Sequence, residues 1–146
     1  ADDCWDVMMV GFNILNQSAR RRVLDHTRPK NIATQAMFVV RNALSRPQRL
    51  AEVVAQLIEA GQVDPADVDP ADPLGFVLAG GAAASVTDAA YRFCRDEAGI
   101  DVVLSGTGSI EHLEANVASM QAPPLPADVH ERLKTIFRRV DSVSGQ

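Results

Sequence analysis

Three short apolar runs, each closed by a polar or glycine-containing turn and followed by helical spacing, limit this chain to an α/β architecture. The runs are Trp5–Leu15 (WDVMMVGFNIL), Asn31–Leu44 (NIATQAMFVVRNAL) and Ile100–Leu104. Between them, Ser18–His26 carries Ala19, Val23 and Leu24 at helical spacing. Pro47–Ala60 is the clearest helix. Its Leu50, Val53, Val54, Leu57 and Ile58 form one apolar stripe, Pro47 suits the first turn, and Gly61 stops it. Ser85-Val86-Thr87-Asp88 reads as a capped start for a helix that runs through Phe93 and Cys94 to Gly99. Two further helices follow the last strand. Ser109–Met120 places Ile110, Leu113, Val117 and Met120 on one face, and Ala127–Val140 buries Val129, Leu133, Ile136, Phe137 and Val140. The order strand, helix, strand, helix, helix, strand, helix, helix predicts parallel strands joined by crossovers. Residues 1–146 read as a single unit with strands near 6–13, 32–40 and 100–105 and a frayed tail at 141–146.

Composition removes several classes of function. Apolar residues make up 47% and charged residues 23%, as in soluble globular chains. No apolar run approaches the ~20 residues of a membrane helix, and no signal peptide is visible. A net charge of −5 leaves no footprint for nucleic acid. The cluster Arg20-Arg21-Arg22 reads as a solvated helix face, with a phosphate contact as the alternative, and His26, without ligand-spaced partners, as structural. Cys4 and Cys94 make neither a disulfide framework nor a zinc site. Cys94 falls among apolar helix positions and reads as core. Free thiols without a signal place the chain in the cytoplasm. Val63–Pro73, with its repeated Asp-Pro-Ala-Asp, is too rich in proline for a regular element, and its acids lack EF-hand spacing. Residue 1 is alanine and a strand begins by Val7, so a fragment, a processed product or one half of something larger is expected.

The most informative stretch is Val102–Asn116, VVLSGTGSIEHLEAN. Val102–Leu104 is a β-branched apolar run, as expected of a parallel strand covered on both faces. Gly106 and Gly108 let the backbone turn and approach a ligand without a Cβ. Ser109 is a potential N-cap, and Glu111 and Glu114 sit in the first turns after it. Free N–H groups beside glycines and hydroxyls suit a phosphate; an ordinary βα turn has the same local pattern.

This stretch, followed by VASMQAPPLPADVHERL, resembles the C-terminal end of the aldo-keto reductase family. There a last barrel strand leads to a Gly-Thr/Ser turn, "HL-x-x-N" and a proline-rich "PLP" before a final helix. Asp6, Val7, Val10, Phe12 and Asn13 resemble that family's sixth strand, and Arg41-Asn42-Ala43-Leu44 the end of its seventh. The resemblance implies the last three βα units of a (β/α)8 barrel, which as a whole takes ~250 residues. It implies that NADP(H) is held at Arg41, Asn42, Leu44, Gly106, Thr107, Gly108, His112 and Asn116. In that reading Arg41 packs on the nicotinamide face, the Thr107 hydroxyl donates to a phosphate, and Asn116 contacts adenine. His112 stands where many members place an arginine on the 2′-phosphate, so NADPH preference should be modest and strengthen towards pH 6. Two departures matter. Met9 replaces a glutamine that bonds the carboxamide, and Ala43 replaces a proline.

The implied activity is hydride transfer between NADPH and a carbonyl substrate. The family's tyrosine, lysine, aspartate and histidine lie on earlier strands, outside this chain, which alone is expected to be inactive. The alternative is a non-catalytic nucleotide-binding or regulatory module derived from that fold. An open Rossmann-type sheet fits less well, because its glycine fingerprint should follow the first strand rather than the last. A three-stranded slice also needs partners: the N-terminal half of the barrel or a second copy.

Overall fold

The computed structural model describes residues 4–143. Its three strands, β1 (Val7–Gly11), β2 (Ala33–Met37) and β3 (Val102–Val103), are parallel and lie in the order β1-β2-β3. Val7 to Gly11 pair in register with Ala33 to Met37, and Val102 sits opposite Gln35. The α/β class and parallel pairing are therefore as the sequence predicts. Although β3 is only two residues long, Asp101 and Leu104 extend its ladder through N–H bonds to the Thr34 and Ala36 carbonyls.

The first helical segment, α1, changes character along its length. It is a π turn over Arg20–Leu24, an α turn over Asp25–Thr27 and a 3-10 turn over Arg28–Lys30. After β2 come a short helix, α2 (Asn42–Ser45), and the long α3 (Pro47–Glu59), with Gly61 at φ 69° just beyond its end. The proline-rich stretch forms turns, with Asp64 and Asp69 side chains each accepting the N–H two residues on. In α4 (Val86–Arg95) the Ser85 hydroxyl accepts the Asp88 N–H, the predicted cap. α5 (Ile110–Gln121) and α6 (Ala127–Ile136) complete the set. α6 stops short of the predicted Val140, yet Phe137 and Val140 stay buried in the turn that follows. The chain also leaves β2 earlier than its apolar run suggests, because Phe38 takes φ 64°.

The core lies on one face of the sheet. Val10, Thr34 and Ala36 point into it and meet Phe12, Leu44, Leu57, Leu74, Phe93, Leu133 and Phe137. Phe12 and Phe93 stack with centroids 6.0 Å apart. Cys94 is buried there as expected, its thiol donating to the Phe12 carbonyl, and burial with the nearby Glu97 pushes that thiol far above its usual range. The opposite face is open: Val7, Met9, Val102 and Leu104 are 50, 51, 44 and 37% exposed. The expectation that Val102–Leu104 is covered on both faces is thus corrected.

A second correction concerns α5. The apolar face read from its sequence turns mostly outward, with Ile110 76%, Leu113 50% and Val117 47% exposed, and Asn116 and Ser119 are buried instead. The reason is the neighbour. Arg95 of α4 donates to the Ser119 and Met120 carbonyls of α5, and Tyr91 holds Ser105, to which Asn116 donates, so the buried groups at this seam need polar partners. The tail also departs from the frayed reading at residues 141–143. Asp141 pairs with Arg22 at 2.7 Å, Ser142 bonds Gln62, and the Val143 carbonyl accepts from Asn16. Residues 144–146 lie outside the described residues. Among the described residues no helix is long and apolar enough to cross a membrane.

One buried ion pair anchors α4. Arg92 Nη1 meets Asp88 Oδ2 at 2.9 Å, with both side chains under one-tenth exposed. Burial alone would raise the Asp88 carboxyl, but the Ala84 N–H, Arg92 and the Ser119 hydroxyl together hold it below its usual value. Its folded value is therefore depressed relative to about 3.9 in the unfolded chain. The contribution to stability is complete above about pH 4 and is lost as pH falls through the lower folded value. Asp88→Ala should cost about 3–5 kcal/mol by urea unfolding at pH 7, since it strands a buried guanidinium. Asp88→Asn should flatten the acid limb of the stability profile below about pH 4.

Candidate functional site

At the carboxyl ends of the strands, the N-termini of α3, α4 and α5 open into one cleft of about 680 Å3. That convergence follows from topology, since each of these helices runs antiparallel to its neighbouring strand. Phe38, Ser45 and Arg46 line the cleft from the segment after β2. Ser85, Thr87 and Tyr91 line it from α4, and Leu104, Gly106 and Thr107 from the turn after β3. His112, Asn116 and Ser119 line it from α5.

No carboxylate lines the cleft. Arg46 and His112 supply the basic groups, and the Arg46 guanidinium has no hydrogen-bond or ion-pair partner among the described residues. Three helix N-termini add partial positive charge at the same place. The cleft is thus biased towards anions on a chain whose net charge is −5.

The turn after β3 is built by its hydroxyls. Thr107 Oγ1 accepts the Ser109 N–H at 3.1 Å, and Ser109 Oγ accepts the His112 N–H at 3.3 Å, the predicted cap. Neither Gly106 nor Gly108 takes a positive φ, and a Cβ at either would meet nothing within 4 Å. Nothing in the turn itself requires a glycine, and at Gly106 the space left free belongs to the cleft. Thr107, with its oxygen accepting from Ser109, retains a hydroxyl proton to donate.

Beneath the turn, Ser105 Oγ lies 2.9 Å from the Tyr91 hydroxyl and accepts from Asn116 Nδ2 at 2.9 Å. This bridge fixes Asn116 in the cleft wall, and through it Tyr91, whose ring is buried, reaches the site with its hydroxyl. The opposite rim is held by Phe38. Asn13 Nδ2 donates to its carbonyl at 2.9 Å, and the Arg41 guanidinium lies 4.4 Å above its ring.

Of the residues singled out from sequence, Gly106, Thr107, His112 and Asn116 come together in the cleft wall. Arg41 stacks on the chain's own Phe38 ring at the rim. Asn42 starts α2, where its carbonyl accepts from the Ser45 hydroxyl, and Leu44 is buried in the core. Gly108 lies outside the lining. Ser45, Arg46, Thr87, Ser105 and Ser119 were not singled out for chemistry. Arg46 had a legible signal, a cation directly before the first-turn Pro47 of α3. Ser105 and Ser119 had none, being ordinary serines until the fold pairs them. Among the described residues no group of three or more His, Cys, Asp or Glu is placed to hold a metal ion. No family model matches the sequence, and no curated protein matches it.

Ser105→Ala removes the hydroxyl that partners both Tyr91 and Asn116, two largely buried groups, and should cost about 1–3 kcal/mol in thermal or urea unfolding. Tyr91→Phe should cost less, about 0.5–1.5 kcal/mol, and the double variant should fall short of the sum because both changes break one bridge.

Proposed function

We propose that this chain supplies the adenosine-phosphate side of an NADP(H) site to an oxidoreductase of the aldo-keto reductase type, which moves hydride between NADPH and a carbonyl substrate. The observation that carries the reading is the cleft itself: a glycine-threonine turn, two basic side chains, several hydroxyls, three helix N-termini and no carboxylate. The residues fit the cofactor's anionic end. Gly106 and Thr107 would hold the pyrophosphate side, and His112 with Arg46 the 2′-phosphate. Asn116, fixed through Nδ2 by Ser105, would present its Oδ1 to the base. When bound, NADPH supplies the hydride; the residues of this chain bind and orient it.

The one-sided sheet supports the last three βα units of a (β/α)8 barrel. A doubly wound sheet carries helices on both faces, whereas an inner barrel face meets only other strands. Val7, Met9, Val102 and Leu104 would then be covered by the N-terminal half of the barrel, or by a second copy of this chain. The proton-donating tyrosine with its lysine, aspartate and histidine would belong to that other half. Free thiols at Cys4 and Cys94 suit a reducing cytoplasm. Met9, on the open face where the family has a carboxamide-binding glutamine, favours a second reading: a non-catalytic nucleotide-binding or regulatory module.

Three measurements separate these readings. NADPH should bind the complete barrel, and Arg46→Ala should weaken it about tenfold, roughly one charge-assisted bond; equal loss for NADH would remove the 2′-phosphate role. His112→Ala should weaken NADPH and leave NADH unchanged. The isolated chain should turn over no carbonyl above a heat-treated control and should self-associate in light scattering. A monodisperse monomer at high concentration would argue against the open inner face. Turnover by a complete barrel would eliminate the non-catalytic alternative.

A further inference from the structure

A second concave site lies where the start of α1 meets the turn after α6. It is a hollow of about 390 Å3 lined by Gln17, Arg20, Arg21, Arg138 and Arg139. Its floor is rigid. Gln17 is 4% exposed, and its Nε2 donates to the Ile14 carbonyl at 2.9 Å and the Leu133 carbonyl at 3.0 Å. Its Oε1 accepts from Arg20 Nη1 at 2.8 Å. The remaining donors of Arg20 close a two-pronged pair on Glu97, with Nε to Oε1 at 2.7 Å. Gln17 therefore ties α1 to α6 and sets the spacing of the two walls without help from any ligand.

The walls differ from the floor. Arg21, Arg138 and Arg139 have no hydrogen-bond or ion-pair partner among the described residues. The adjacent Arg22 does, on Asp141 at 2.7 Å. A chain with net charge −5 thus leaves three unneutralised guanidiniums around one fixed hollow with no carboxylate in its lining. The π turn Arg20–Leu24 is part of the arrangement, and such turns recur at functional positions. A solvated helix face, the sequence reading of Arg20-Arg21-Arg22, accounts for neither the concavity nor the arrival of Arg138 and Arg139.

We propose that this hollow binds a small free polyanion carrying two phosphate groups, with Arg21, Arg138 and Arg139 as its ligands and Arg20 as a fixed wall. Planar guanidinium forks match phosphate oxygens two at a time, and several converging forks favour a multiply charged anion over a single carboxylate. The hollow is smaller than the cleft, and its lining holds no aromatic or aliphatic residue to receive a ring or an acyl chain. The site is independent of the NADP(H) reading.

Calorimetric titration of the chain with pyrophosphate, at constant ionic strength set by sodium chloride, tests this. The same titration of an Arg46→Ala/His112→Ala variant removes any contribution of the cleft. Saturable one-site binding that persists in the cleft variant is expected. Arg21→Ser, Arg138→Ser and Arg139→Ser should each weaken it roughly tenfold, and the triple variant should abolish it while keeping its melting transition. Arg138→Lys, which keeps charge but loses the fork, should weaken it by less than Arg138→Ser. No saturable binding, binding abolished by the cleft variant, or binding unchanged in the triple variant would overturn the proposal. So would capture by phosphatidic acid vesicles without binding of free pyrophosphate, which would make the source a lipid headgroup.

Discussion

The Arg95 guanidinium donates to the Met120 carbonyl at 2.9 Å and the Ala122 carbonyl at 2.7 Å, at the C-terminal end of α5. One turn earlier, Arg92 reaches the Pro124 and Ala82 carbonyls while paired with Asp88. These hydrogen bonds dock α5 and the proline crossover onto α4, alongside the burial of Leu125 and the packing of Met120 against the core. They satisfy carbonyls that a helix end leaves without partners, and they place cations where the helix dipole favours them. Arg95 is held in place by Asp96, whose carboxylate accepts from its Nε and Nη2 at 2.7 and 2.9 Å. The cleft depends on this docking, because His112, Asn116 and Ser119 are on its wall only while α5 stays in that orientation.

The fold and the site were legible to different degrees, for different reasons. Strand positions, the caps at Ser85 and Ser109 and the stop at Gly61 follow from local preferences, and the chain obeys them. The inward face of α5 does not follow. Periodicity says that Ile110, Leu113 and Val117 share a face, but which face turns inward is decided by what α4 presents. The open side of the sheet was hidden likewise. A run such as Val102–Leu104 is apolar on both sides whether its second cover comes from this chain or from elsewhere.

Site residues divide along the same line. Those in one stretch, Gly106, Thr107, His112 and Asn116, were found because their spacing is local. Those that arrive from elsewhere, Ser45, Arg46, Thr87 and the Tyr91 hydroxyl, are brought in by the convergence of three helix starts. Net charge was a poor guide at this scale. An overall charge of −5 coexists with a cleft free of carboxylates, since potentials in a concavity follow the nearest groups and the local dielectric rather than the sum.

Phe38 shows how the rim of the cleft is made stiff. At φ 64° a phenylalanine sits in a region its side chain disfavours, at a cost of about 1–3 kcal/mol. The surroundings over-determine it: Asn13 holds its carbonyl, Arg41 covers its ring, and a side chain at Gly11 would come within 3.3 Å of that ring. A glycine in its place would relax the backbone and leave the rim free to sample several shapes. With phenylalanine the rim is ordered when the chain folds. Whatever enters the cleft therefore meets a wall whose conformational entropy has already been surrendered, and its affinity is reduced less by ordering.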